Sequence, residues 1–185
     1  LAQALADNYP PPIAKTSSLT SQLVLPALWP FTKYGYLQAQ KTWNPVSAYI
    51  KNTHIVITGT SSGLGLASAY ALAAKGCQLT LIMRDAKKAH TIQDALIQHT
   101  GNLNIQVELA DLSIMAEVIA LSQRLKQQNK TIDVLINNAG ALFNPRQQTQ
   151  EGLEQSFALL LLSPFILTEQ LKPLFAQNAR VINVL

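Results

Sequence analysis

Thr58-Gly59-Thr60-Ser61-Ser62-Gly63-Leu64-Gly65 follows the apolar run His54-Ile55-Val56-Ile57 and opens an Ala-rich stretch over 66–75. Strand, glycine turn and helix, in that order, is what a dinucleotide site needs. Glycine lets the backbone come close to a pyrophosphate, because no Cβ stands in the way. The free N–H groups and positive dipole end of the next helix then face the phosphate charge. Small residues at Ala67, Ala71 and Ala74 are expected to let that helix lie close on the sheet.

From residue 53 onward the pattern alternates. Short apolar runs at 55–58, 78–83, 105–109, 134–136 and 181–185 read as strands. Helical stretches read over 63–75, 87–100, 114–129 and 149–177. Such alternation gives an α/β fold, a doubly wound parallel sheet with helices on both faces. The strands are continuously apolar, as strands buried on both faces are. Gly101 is expected to stop the second helix. Asp111 and Ser113 are expected to cap the third. Ser163-Pro164 reads as an N-cap followed by Pro at the first helical position, so the last helical stretch is expected in two pieces or with a bend.

Residues 51–185 thus read as a dinucleotide-binding domain, the Rossmann fold, and residues 1–50 as an extension. The extension starts as an irregular lead-in with Pro10-Pro11-Pro12 and Thr16-Ser17-Ser18. An aromatic-rich helix over 28–43 follows, carrying Trp29, Phe31, Tyr34, Tyr36 and Trp43. That helix reads either as packed on the domain or as a weak membrane-interface segment. The chain opens on Leu1 and stops at Leu185 inside a strand-like run. The expectation is a piece of a longer protein, cut after the fifth strand.

Composition narrows the function classes. The chain has 185 residues, 48% hydrophobic and 13% charged, with net charge +4, which describes a globular domain rather than a disordered one. Its basic residues form no aromatic-interleaved stripe, so nucleic acid is not an expected partner. Cys77 is the single cysteine, and His54, His90 and His99 lack ligand spacing, so neither a disulfide nor a metal site is expected. No stretch reaches the roughly 18 apolar residues of a membrane span.

Cofactor residues are sought where each strand ends, at the carboxyl edge of the sheet. The first strand is followed by the glycine turn, with Thr58, Gly59, Ser61, Ser62, Gly63, Leu64 and Gly65. The second is followed by Arg84 and Asp85, 19 residues past Gly65 for Arg84. An Arg there meets the 2′-phosphate of NADP, whereas an acidic side chain takes the ribose hydroxyls of NAD. Arg84, with Lys87 and Lys88 nearby, favours NADP; Asp85 is the argument for NAD. Asp111 and Leu112 follow the third strand, on the adenine side. Asn138, Ala139 and Gly140 follow the fourth, where small residues let the backbone face the cofactor.

With these residues in place, the chain resembles a short-chain dehydrogenase/reductase. The family's TGxxxGxG motif is matched by Thr58, Gly59, Gly63 and Gly65, its adenine-side aspartate by Asp111, and its NNAG motif by Asn137 to Gly140. Arg84-Asp85, the segment 151–157 and Lys172-Pro173-Leu174 are similar to the NADP-preferring, retinol-dehydrogenase-like branch. The resemblance covers 53–185, the first five strands. It implies hydride transfer between NADP(H) and a carbonyl or alcohol substrate. The lone Cys77 fits a reducing, cytoplasmic setting, and the aromatic helix over 28–43 is where a weak membrane association would form. The apolar 157–167 region reads either as a homodimer surface or simply as core. Two departures stand out. Leu160 occupies the position of the family's relay Asn. The catalytic Ser and the Tyr-x-x-x-Lys have no counterpart up to Leu185, so no catalytic residue is assigned. A non-catalytic nucleotide-binding relative, or an inactive truncated product, is the alternative.

Overall fold

The computed structural model describes residues 32–42 and 50–184. The chain divides into two units, Leu1–Pro45 and Val46–Leu185. In the first, helix α1 spans Lys33–Gln40, and the Thr32 hydroxyl caps it by accepting from the Gly35 amide at 3.1 Å. Residues 41–42 of the helix expected over 28–43 are turn instead, and its residues 28–31 and 43, with the lead-in before it, lie outside the described residues.

The second unit is built on five parallel strands, β1 (His54–Thr58), β2 (Gln78–Met83), β3 (Ile105–Leu109), β4 (Ile132–Asn137) and β5 (Phe175–Asn183). Their order is β3-β2-β1-β4-β5, which puts β1 at the centre and reverses the winding there. Helices α2 (Gly63–Ala73) and α3 (Ala86–Thr100) supply one layer, α4 (Met115–Gln128) and the last helical segment the other. Strand alternation divides the core accordingly. Val56 and Leu135 pack with Val118, Leu121, Leu167 and Leu171. Ile55 and Ile57 pack on the opposite face with Ala69, Ala73 and Leu96.

Several local expectations are corrected. The small residues that bring α2 onto the sheet are Gly65, Ala69 and Ala73, one stripe at four-residue spacing; Ala67, Ala71 and Ala74 face outward. The phase is set by Gly65, which sits against the Gly59 carbonyl. Gly101 does stop α3, in the left-handed conformation at φ 69°. Helix α4, however, has no side-chain cap from its own lead-in; its N-cap is Ile114. The Asp111 carboxylate instead turns back onto the Ser113 amide and hydroxyl, at 2.9 and 2.7 Å.

The last helical stretch is shorter than expected and begins later. Residues 149–154 form a turn, with Gly152 at φ 79° and an antiparallel bridge between Gln148 and Glu154. Glu154 then caps α5 (Gln155–Phe157), accepting from the Ser156 and Phe157 amides. These two bonds hold its carboxyl below the usual glutamate range. The helix runs on through a π turn (Ala158–Leu162) into α6 (Ser163–Leu171) and a 3-10 turn (Lys172–Leu174). Ser163 is thus no N-cap. Pro164 has no amide to give, and the turn is taken wide, with the Ser163 amide on the Ala158 carbonyl. Because the pieces join, Gln155–Leu174 is a 20-residue helix of mean hydropathy 1.3, long and apolar enough to cross a membrane by length and composition. The expectation that nothing reaches that length is corrected. Its Ala158, Leu167 and Leu171 belong to the core of the sheet, while Phe157, Leu161 and Phe165 are exposed. Strand β5 starts at Phe175, so residues 175–177 are strand rather than helix.

His54 is buried at the start of β1. Its Nδ1 lies 2.7 Å from the Thr131 carbonyl, which can only accept, so Nδ1 carries the proton. In the neutral ring Nε2 then accepts from the Thr80 hydroxyl at 2.9 Å. The His54 amide donates to the Asp133 carboxylate at 2.8 Å. Burial pushes the imidazole below its ordinary value of 6.5, against the opposing pull of the Thr131 bond. The unfolded chain therefore binds a proton below about pH 6.5 that the fold resists, and stability falls as pH drops through that value. Melting curves at pH 7.5 and 5.5 are expected to show a lower Tm at pH 5.5, with a smaller drop in His54→Gln. An equal drop in the variant would clear His54 of the effect.

Candidate cofactor-binding site

The carboxyl ends of β1 to β5 open onto a cleft of about 1080 Å³. All the residues expected to hold a cofactor line it except Gly65, which lies beneath the loop. The three glycines do different work. Gly59 has φ +70°, and a Cβ there would meet the Ala139 Cα at 2.6 Å. A Cβ on Gly65 would meet the Gly59 carbonyl oxygen at 2.4 Å and the Asn138 amide nitrogen at 2.5 Å. Gly63 has φ +58°, and a Cβ there would meet nothing within 4 Å. Gly59 and Gly65 are thus glycine for the sake of packing. Gly63 turns bare backbone toward open space at the start of α2, where an anion is favoured.

Thr58 and Asn138 lock the first loop to the fourth. The Thr58 hydroxyl accepts from the Asn138 and Ala139 amides, both at 2.9 Å. The Asn138 side-chain amide donates back to the Thr58 and Gly59 carbonyls at 3.0 and 3.1 Å. The backbones on either side of the cleft floor therefore hold one another in place before any ligand enters.

At the end of β2 the two rival side chains separate. Asp85 is the N-cap of α3, its carboxylate accepting from the Lys88 amide at 3.1 Å. The local signal for that role, an Asp directly before a helix, was present in the sequence. Arg84 stays 71% exposed on the cleft rim and pairs with Asp111 across 3.7 Å. An exposed pair of that length contributes little to stability. Lys87 and Lys88 are exposed at the start of α3.

The far end of the cleft is more apolar than expected. Phe143, Leu159, Leu160, Leu161 and Phe165 line it. Leu160 faces Gly140, where a Cβ would come within 3.4 Å of its Cδ2. Sequence reasoning did not single out the polar group at the ends of β4 and β5. The Asn137 side-chain amide donates to Asn183 at 2.9 Å and to Thr168 at 3.4 Å, tying both strands to α6. Only the NNAG match pointed toward it.

A family model for short chain dehydrogenases matches residues 53–185, the whole of the second unit from β1 onward. The chain belongs to the short-chain dehydrogenase family. Dehydrogenase/reductase SDR family member 12 from Bos taurus is 35% identical over 158 residues, covering 83% of this chain and 50% of that protein. Retinol dehydrogenase 11 from Homo sapiens is 32% identical over 132 residues, covering 70% of this chain and 42% of that one. The similarity therefore runs to the retinol-dehydrogenase-like branch, and the chain spans about half the length of the curated relatives it matches. Among solved structures, the short-chain dehydrogenase from Sphingobium yanoikuyae in complex with NADPH superposes with a TM-score of 0.61 at 30% identity, over 71% of this chain and 52% of that one. The Pseudomonas aeruginosa RhlG/NADP active-site complex does so at 0.61 and 30%, over 72% and 54%.

Proposed function

We propose that this family member carries the adenosine and pyrophosphate half of an NADP(H) site, in a protein that moves a hydride between NADP(H) and a carbonyl or alcohol substrate. The observation that carries the reading is the division at the end of β2. Asp85 turns one carboxylate oxygen to the cap of α3 and does not line the cleft, while Arg84 stands exposed on the cleft rim. An arginine there suits a 2′-phosphate, and an aspartate off the cleft lining is poorly placed for a ribose. The NADPH and NADP bound in the two solved relatives support the same choice.

The nicotinamide ring, when bound, supplies or accepts the hydride. The residues of this chain bind and orient. Backbone at Gly63 and the α2 N-terminus receive the pyrophosphate, with Ser61, Ser62 and Leu64 beside them. Asp111 and Leu112 wall the adenine, and Asn138, Ala139 and Gly140 form the floor. No proton transfer is assigned to any of them.

Titrating the chain with NADPH and NADH by cofactor fluorescence tests this. NADPH is expected to bind at least about tenfold tighter and to raise the Tm as a ligand of the folded state does. Equal affinities would sink the role of Arg84, and binding of neither would sink the site.

Leu160 favours a second reading, a nucleotide-binding relative without catalysis, because an apolar side chain fills the relay position beside Gly140. Carbonyl reduction by the whole protein with NADPH would exclude it. Two partners go with the first reading as proposals: a lipid surface met weakly through residues 28–43, and a second copy met through the exposed Phe157, Leu161 and Phe165.

A further inference from the structure

Glu151 sits at the tip of a short hairpin and reaches a helix that begins 36 residues earlier in the chain. The hairpin is closed by the Gln148–Glu154 bridge and by the Gln155 amide on the Gln147 carbonyl at 3.0 Å. From its tip the Glu151 carboxylate accepts with both oxygens, from the Met115 amide at 2.7 Å and the Ala116 amide at 2.9 Å. Those are the first two residues of α4, the helix without a cap of its own. The negative charge also lies at the positive end of that helix, where it is favoured.

Neither the hairpin nor α4 lines the cleft itself, but the segment leading into each of them does. The hairpin ends the loop that starts at Asn138-Ala139-Gly140. The lead-in to α4 is Asp111 to Ser113, on the adenine side. Glu117 holds the same lead-in, taking the Asp111 amide at 2.7 Å. A local cap would steady α4 alone. A cap delivered from the opposite loop makes the adenine wall and the far loop hold position together. The body of α4 does not depend on it, since Val118, Leu121 and Leu125 are buried in the core.

We propose that Glu151 is a positioning residue for cofactor binding. It fixes the α4 lead-in, and with it Asp111 and Leu112, at the adenine wall without touching the ligand. This rests on the cofactor reading above.

The test is the affinity of Glu151→Ala and Glu151→Gln for NADPH and for NADH, measured at a temperature where each variant is folded by its melting curve. Glu151→Ala is expected to weaken both cofactors alike, by roughly tenfold, the size of a lost charged cap carried into binding. Glu151→Gln keeps one acceptor oxygen and is expected to lose less. Arg84→Ala serves as the contrast, because it should weaken NADPH alone. Wild-type affinity in a folded Glu151→Ala, whatever its Tm, overturns the proposal and leaves only a structural cap. If Glu151→Ala has no cooperative melt, Glu151→Gln decides on the same terms. If the unmutated chain binds neither cofactor, the cofactor reading falls and takes this inference with it. If it binds and the variants bind equally well, only the inference falls.

Discussion

Gly59→Ala is expected to cost about 3–5 kcal/mol of stability, the sum of a strained left-handed backbone and an overpacked contact. The residue sits at φ +70°, where a side chain is disfavoured, and its Cβ would lie 2.6 Å from the Ala139 Cα and 3.0 Å from the Ala139 nitrogen. Neither neighbour is the loose end of a side chain. Both are backbone, and that backbone is held by the Thr58 hydroxyl. The contact cannot be relieved without parting β1 from β4 at the point where the cleft floor forms. Denaturant unfolding of wild type and variant measures the loss. A Gly59→Ala chain that unfolds within about 1 kcal/mol of wild type would mean the loop relaxes, and that the lock between Thr58 and Asn138 is softer than its distances imply.

Arg84→Asp is expected to lower NADPH affinity by about a hundredfold and to leave NADH affinity within a factor of a few, since one charge-assisted contact is replaced by a repulsion. The fold should hardly notice. The pair with Asp111 is long and open to solvent, and the side chain packs against nothing in the core. That separation makes the experiment clean: melting temperature unchanged, discrimination between the two cofactors reversed. An NADPH preference that survives the substitution would move 2′-phosphate recognition to Lys87 and Lys88. A parallel loss for both cofactors would mean that Arg84 serves the adenine wall through Asp111 instead.

What the sequence made legible was whatever its neighbours decide. The bounds of β2 and β3 could be read directly, because the apolar run of β2 lies between Gly76 and Arg84 and that of β3 between Gly101 and Asp111. The cleft-lining loops were legible for the same reason, each following a strand. What stayed hidden depends on partners far along the chain. The cap of α4 comes from Glu151, so Asp111 and Ser113 were the natural but mistaken choices. Residues 149–154 carry a helical spacing, yet the Gln148–Glu154 bridge and the left-handed Gly152 bend them into a hairpin. Residues 175–177 read as the end of a helix, and pairing of Phe175 with Ile132 draws them into β5. The phase of α2 was misread by two residues, because Gly65 was counted with the loop and not with the helix face.

The central place of β1 has a consequence for how the molecule is made. One of its edges pairs with β2, which follows almost at once, but the His54 amide finds its partner carboxylate on Asp133, 79 residues further on. At synthesis rates of about 5–20 residues per second, the other edge of the most buried strand waits roughly 4–16 seconds for the ribosome to deliver β4. Through that interval Ile55, Val56 and Ile57 have only half their final neighbours, and the nascent chain depends on whatever shields an apolar strand in the cell.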